Sequence, residues 1–123
     1  MIIGLNIMFY VCMLIIPITC IIAGYILKTK PPKEINNVYG YRSRRSKASQ
    51  EAWDFANVYS GKNIFIVGIV LLFAGPAVYL LLTKTAGAGM MPSMLMVMFL
   101  EIIVMILVAL VPTEMKLKEK FGN

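Results

Sequence analysis

Ile64-Phe65-Ile66-Val67-Gly68-Ile69-Val70-Leu71-Leu72-Phe73-Ala74-Gly75-Pro76-Ala77-Val78-Tyr79-Leu80-Leu81-Leu82 decides the architecture of this chain. These 19 residues carry no charged side chain. An α-helix rises about 1.5 Å per residue, so about 20 residues cross a hydrocarbon layer about 30 Å thick. A soluble bundle helix needs a polar face to turn toward water, and this stretch has none. Two flanking stretches share its character. Residues 2–27 are interrupted mainly by Asn6 and Thr19, and residues 90–111 hold one charge, Glu101. The 123-residue chain is 59% hydrophobic and 15% charged, where soluble domains carry about 25% charged residues. The expected fold class is all-α: an integral membrane three-helix bundle forming one domain over 1–123. Its helices are expected at 2–27, 64–82 and 90–111, with a loop at 28–63 and a tail at 112–123.

The first stretch is expected to be a retained helix rather than a signal peptide. No Lys or Arg precedes it, and its apolar run is too long. Orientation follows from the basic residues. Eight lie between the first two helices (Lys28, Lys30, Lys33, Arg42, Arg44, Arg45, Lys47 and Lys62). The turn at 83–89 has only Lys84, and the tail has Lys116, Lys118 and Lys120. Cytoplasmic loops carry the excess of Lys and Arg. The expected topology is N-out and C-in, with the long loop in the cytoplasm. The net charge of +6 is then a collar facing anionic lipid, and no nucleic-acid partner is expected.

Several residues punctuate the helices. Pro17 and Pro76 cannot donate to the carbonyls of Met13 and Leu72, so each is expected to kink its helix. Pro92 stands near a helix start, where proline is tolerated. Gly68 and Gly75 are seven residues apart and share a face suited to close packing. The short turn at 83–89 makes the last two helices an antiparallel hairpin.

Catalytic chemistry has little to work with. There is no histidine. Cys12 and Cys20 are separated by about 12 Å of helical rise, too far for a disulfide. There is no glycine-rich phosphate loop, and Ser43, Ser46 and Ser49 have no histidine to activate them. The chain is expected not to be an enzyme and to need no cofactor.

The loop has more specific character than a linker needs. Pro31 and Pro32 stop the first helix. Tyr39-Gly40-Tyr41 reads as a bend between aromatics. Ser46 or Ser49 can cap a new helix with Glu51 near its positive end. Ala48, Ala52, Phe55 and Tyr59 then fall at helical spacing. This predicts a short amphipathic helix at about 47–60, ending at Gly61 and lying at the membrane interface. Asn36 and Asn57 can tie irregular backbone, and Arg42 can fork onto a carboxylate or phosphate. Asn36, Tyr39, Gly40, Tyr41, Arg42, Ser46, Glu51, Trp53 and Asn57 are the candidate binding residues. A plain interfacial anchor of aromatic and basic side chains is the simpler reading of the same residues.

The run Pro31-Pro32-x-x-Ile35-Asn36-x-x-Tyr39-Gly40-Tyr41-Arg42-x-x-x-Ser46, followed by Glu51-x-Trp53-x-x-Ala56-Asn57, resembles the signature of the SdpI family. The tail from Thr113-Glu114-x-x-Leu117-Lys118-x-x-Phe121 resembles it more weakly. Ser43 stands where the family pattern has Thr, which keeps the hydroxyl. Members of that family are bacterial membrane proteins best known as immunity factors against a secreted, membrane-permeabilising peptide toxin. The resemblance implies a short, three-helix immunity protein with a peptide toxin as partner. Some relatives are thought to hold a transcriptional regulator at the membrane, so a cytoplasmic regulator is a second implied partner. The signature faces the cytoplasm while a toxin arrives from outside. It can therefore scaffold the helices, bind inserted toxin or lipid headgroups, or engage the regulator.

Glu101 is the other candidate site. A charge at mid-membrane costs about 3 kcal/mol on insertion scales, so it should face protein or water or carry a proton. Met94, Met98 and Met105 share its helical face. Tyr79, Thr19, Cys20 or a carbonyl freed by Pro17 or Pro76 are its expected partners. A single structural hydrogen bond, a proton or cation pathway, and a contact for toxin or lipid are its readings. Copper(I) held by the methionines is a weaker fourth. A pathway through only three helices would require a homo-oligomer.

Overall fold

A computed structural model describes residues 2–84, 87 and 89–122. Three helices form: α1 (Ile2–Thr29), α2 (Gln50–Lys84) and α3 (Met90–Phe121), with a 3₁₀ turn at Ser46–Ala48 before α2. All three are long and apolar enough to cross a membrane. The chain is a multi-pass membrane protein. Of the turn expected at 83–89, Thr83 and Lys84 belong to the end of α2, and residues 85, 86 and 88 lie outside the described residues.

Two boundaries differ from the sequence reading. No separate interfacial helix precedes α2. The segment at 50–60 is the start of α2, which runs through Gly61 without a break. Glycine in mid-helix costs about 1 kcal/mol relative to alanine, so Gly61 reads locally as a stop. Packing keeps the helix going, because a Cβ at Gly61 would sit 2.7 Å from both the Leu27 Cβ and the Lys28 nitrogen. The expected tail likewise continues α3, through Pro112 to Phe121. Pro17 and Pro76 also lie inside continuous helices.

Neighbouring helices run antiparallel, and α1 meets α2 at bare backbone. A Cβ on Gly24 would lie 2.7 Å from the Gly61 carbonyl oxygen, and one on Gly68 would lie 2.8 Å from the Ile21 nitrogen. Lipid tails are as apolar as leucine, so such close approach supplies the van der Waals contact that holds membrane helices together. Gly68 and Gly75 both pack, but against different partners: Gly68 meets α1 and Gly75 meets Glu101 of α3.

Two buried clusters mark the ends of the bundle. At one end Phe9 and Met13 of α1 meet Tyr79 of α2 and Val97 of α3, with Met94 and Met98 alongside. The Tyr79 hydroxyl donates to Asn6 at 2.9 Å, and Tyr10 packs edge-on to Tyr79 at 5.0 Å. At the other end Tyr41 of the loop meets Ala52 and Ala56 of α2 and Leu117 of α3. The loop is thus part of the bundle, filling the space between α2 and the last turns of α3. Two threonine hydroxyls within the helices are satisfied locally: Thr19 donates to the Ile15 carbonyl and Thr113 to that of Ala109, both at 2.7 Å.

Candidate functional site

The loop is held by two fully buried side chains of α2 one turn apart, Trp53 and Asn57. Trp53 donates its indole N–H to the Pro32 carbonyl at 2.8 Å. The Asn57 Oδ1 accepts the Tyr41 backbone N–H at 2.6 Å. Its Nδ2 donates to the Trp53 carbonyl at 2.9 Å and to the Tyr41 carbonyl at 3.4 Å. One side-chain amide thereby satisfies both backbone groups of Tyr41, a role that irregular buried backbone requires. Gly40 is needed where it stands. Its φ is +102°, and a Cβ there would lie 2.5 Å from Asn57 Oδ1.

The rest of the loop is tied by its own polar side chains. Asn36 Oδ1 accepts the backbone N–H groups of Val38 and Tyr39 at 2.9 and 2.7 Å. Buried Ser46 donates to the Ser43 carbonyl at 2.8 Å. Of the two expected caps, Ser49 serves α2, accepting the Ala52 N–H at 3.0 Å. Glu51 lies exposed in the first turn of α2, where a carboxylate suits the helix dipole.

Glu114 locks the loop to α3. Tyr41 donates its hydroxyl to one carboxylate oxygen at 2.5 Å, and Arg45 donates to the other at 3.2 Å. Burial pushes the Tyr41 hydroxyl above its usual range, and the bond to Glu114 and that group's charge push it further, so it donates as a neutral phenol. Burial alone would raise the Glu114 carboxyl. Hydrogen bonds from Ser43, Tyr41 and Arg45, with the Arg45 charge, outweigh it and hold the carboxyl below the ordinary range.

This arrangement gives a pH dependence of definite sign. A carboxyl with a depressed folded pKa contributes in full above its unfolded value and loses that contribution as pH falls through the folded one. Trp53 is the single tryptophan and lies under the loop. Acid titration of the purified protein should therefore red-shift its emission at a pH below the ordinary carboxylate range. In Glu114→Gln that step should be absent. An identical titration in the variant would show that Glu114 does not clamp the loop.

The nine candidate loop residues divide into two sets. Tyr41, Ser46, Trp53 and Asn57 are buried, Asn36 and Gly40 half-buried, and all six are engaged within the chain. Tyr39, Arg42 and Glu51 are exposed. Arg42 donates to the Asn37 carbonyl, and Lys47 donates to the Asn37 side-chain Oδ1 at 3.0 Å. Glu114 was not among the candidates. Its signal was the first carboxylate past the apolar part of α3, facing a loop rich in arginine.

Glu101 lies far from this cluster along α3. It is 2% exposed, and neither carboxyl oxygen has a hydrogen-bond partner among the described residues. Of its expected partners, Tyr79 is committed to Asn6 and Thr19 to Ile15, and Cys20 is a free, buried thiol that makes no hydrogen bond to it. The carboxyl faces Gly75, where a Cβ would lie 2.5 Å from Oε2. It lines an apolar cleft of about 230 Å³ between α2 and α3, with Leu71, Ala74, Val78, Leu100 and Val104 among the walls. Val78, Leu100 and Val104 are exposed, so the cleft opens on the lipid-facing side.

A family model described as the SdpI/YfhL protein family matches residues 33–113. The chain belongs to the SdpI/YfhL family. The match begins in the loop and ends at Thr113, so it covers most of the loop, α2 and most of α3. A Bacillus subtilis (strain 168) protein, "Uncharacterized protein YfhL", is 40% identical over 82 residues, covering 52% of this chain and 74% of the relative. No solved structure matches the chain. Within the family match, Gly40 and Tyr41 of the motif meet Asn57 of α2, while Asn36 and Ser46 tie the loop to itself.

Proposed function

We propose that this SdpI/YfhL-family protein protects a bacterial cytoplasmic membrane against a membrane-active peptide toxin, binding the peptide within the bilayer. In this reading the N-terminus faces outward and the loop faces the cytoplasm, as the distribution of Lys and Arg favours. Family membership supports the immunity-type role. The observation that carries the binding step is Glu101, a buried carboxyl without a partner at the floor of a lipid-facing cleft. An isolated carboxylate in hydrocarbon is costly, so a donor or cationic side chain on an inserted peptide gains from meeting it. The apolar walls take the neighbouring face of that peptide. The loop's buried polar residues keep α2 and α3 in register so that the cleft persists.

A sensitive bacterium expressing the chain should survive a toxin that kills the parent strain. Glu101→Gln should lose most of that protection at equal membrane abundance, and Trp53→Ala should lose it by releasing the loop. Unchanged sensitivity across a panel of secreted membrane-active peptides would overturn the reading. The same carboxyl also favours a second reading, an oligomeric proton- or solute-coupled transporter. Proton flux into liposomes that is lost in Glu101→Gln, with no change in toxin sensitivity, would select it instead.

A further inference from the structure

The cations of the loop are not equivalent. Arg45 is paired with Glu114. Arg42 and Lys47 have no carboxylate within ion-pair distance among the described residues, where the ion pairs are Arg45–Glu114 and Lys116–Glu119. Both are instead drawn to Asn37, Arg42 to its carbonyl and Lys47 to its side-chain oxygen. They line one cavity of about 480 Å³, with Ser43 and Gly40 on its wall. Two cations held side by side without a counter-charge make a site for an anion. Arg42 keeps further N–H donors in a planar fork suited to phosphate, and Lys47 adds a point charge.

The cavity's position specifies the anion further. Its wall includes Leu110 of α3, which is exposed and lies in the last apolar turns before Glu114. The cavity therefore opens where the hydrocarbon layer gives way to headgroups. Gly40 also lines a second space, a groove of about 430 Å³ walled by Thr19, Ile22, Ala23 and Ile26 of α1 and by Tyr39. That groove is apolar along α1, and Ile22 and Ile26 face lipid. Gly40 itself is fixed by its positive φ and its contact with Asn57. A basic cavity and an apolar groove thus share one rigid residue at headgroup depth. A molecule that fills both carries a phosphate at one end and a hydrocarbon chain at the other.

We propose that Arg42 and Lys47 hold the phosphate of an anionic phospholipid of the adjacent leaflet, whose acyl chain lies along α1 between Thr19 and Ile26. The loop is then an element completed by lipid. Its buried side is closed by Trp53, Asn57 and Glu114, and its exposed side by a headgroup. The proposal does not depend on the toxin reading, since the lipid cavity and the Glu101 cleft share no residue.

The test is lipid retention by the purified full chain in detergent, read by native mass spectrometry. The probes are phosphatidylglycerol, phosphatidylcholine and inorganic phosphate. The wild type should retain phosphatidylglycerol over phosphatidylcholine by at least about tenfold, as two cations near a lipid surface imply. Arg42→Gln with Lys47→Gln should abolish the preference. Arg44→Gln should keep it, because Arg44 is exposed outside the cavity. Ala23→Phe, which fills the apolar groove, should lower retention of both lipids while helical content stays unchanged. Equal retention of the two lipids by the wild type would overturn the proposal. So would a preference that survives the double substitution. Displacement of phosphatidylglycerol by equimolar inorganic phosphate would identify a free-anion site and overturn the lipid assignment.

Discussion

Trp53→Ala should release the loop from α2 and expose it to protease. Trp53 is fully buried, and truncating a large buried aromatic to alanine typically costs about 3–5 kcal/mol. The substitution also leaves the Pro32 carbonyl without its indole donor. These losses fall on a segment otherwise held by the packing of Tyr41, the Arg45–Glu114 ion pair and hydrogen bonds worth about 1 kcal/mol net each. Local opening therefore replaces local order. Trypsin cleavage after Arg42, Arg44, Arg45 or Lys47 should accelerate at least about a hundredfold, the equivalent of a little under 3 kcal/mol. Trp53→Phe should fall between, since it keeps most of the packing and loses the N–H bond. Equal cleavage rates in wild type and Trp53→Ala would show that the loop is held by something other than the Trp53 seat.

The second large effect is expected at Gly61, and there its sign is the test. Helix propensity alone predicts that Gly61→Leu stabilises α2 by about 1 kcal/mol. Packing predicts the opposite. Even the first added carbon meets the Leu27 Cβ and the Lys28 backbone nitrogen at 2.7 Å, and backbone cannot rotate out of the way as a side chain can. Overpacking typically costs about 1–3 kcal/mol. The cost at Gly61 should lie at the upper end of that range, because separating α1 from α2 also opens the contact at Gly24. Gly4→Leu is the matched control, since nothing lies within 4 Å of a Cβ there. Thermal unfolding in detergent, followed by Trp53 emission, should show a lower midpoint for Gly61→Leu and none for Gly4→Leu. A raised midpoint for Gly61→Leu would mean that the close crossing of α1 and α2 is wrong.

Glu101 and Glu114 show how differently two acidic residues on one helix are treated. Glu114 lies past the apolar part of α3, and a tyrosine and an arginine satisfy it. Glu101 lies inside that part and is satisfied by nothing among the described residues. The first has the environment of a structural clamp. The second carries the cost of an unmet buried polar group, which the proposed peptide contact would relieve.

Much of this was legible in the chain itself. Hydrocarbon thickness sets a length of about 20 apolar residues, so the three helices followed from counting. The stop at Pro31-Pro32, the bend at Gly40 and the cap at Ser49 are local backbone effects, readable over a few residues. The resemblance of the loop to the SdpI signature was also present in the order of residues alone. Tertiary structure decided the remainder. Gly61 reads locally as a helix end, and only the approach of α1 turns it into a packing position inside a longer helix. Asn57 and Glu114 stand 16 and 73 residues from Tyr41 in the chain, so no spacing rule brings them to the loop. Whether Glu101 has a partner depends on which side chains reach it across the bundle. Local propensity acts over one helical turn, whereas burial and hydrogen-bond pairing act between elements, and it is those pairings that separate the residues holding this protein together from the ones left free to bind.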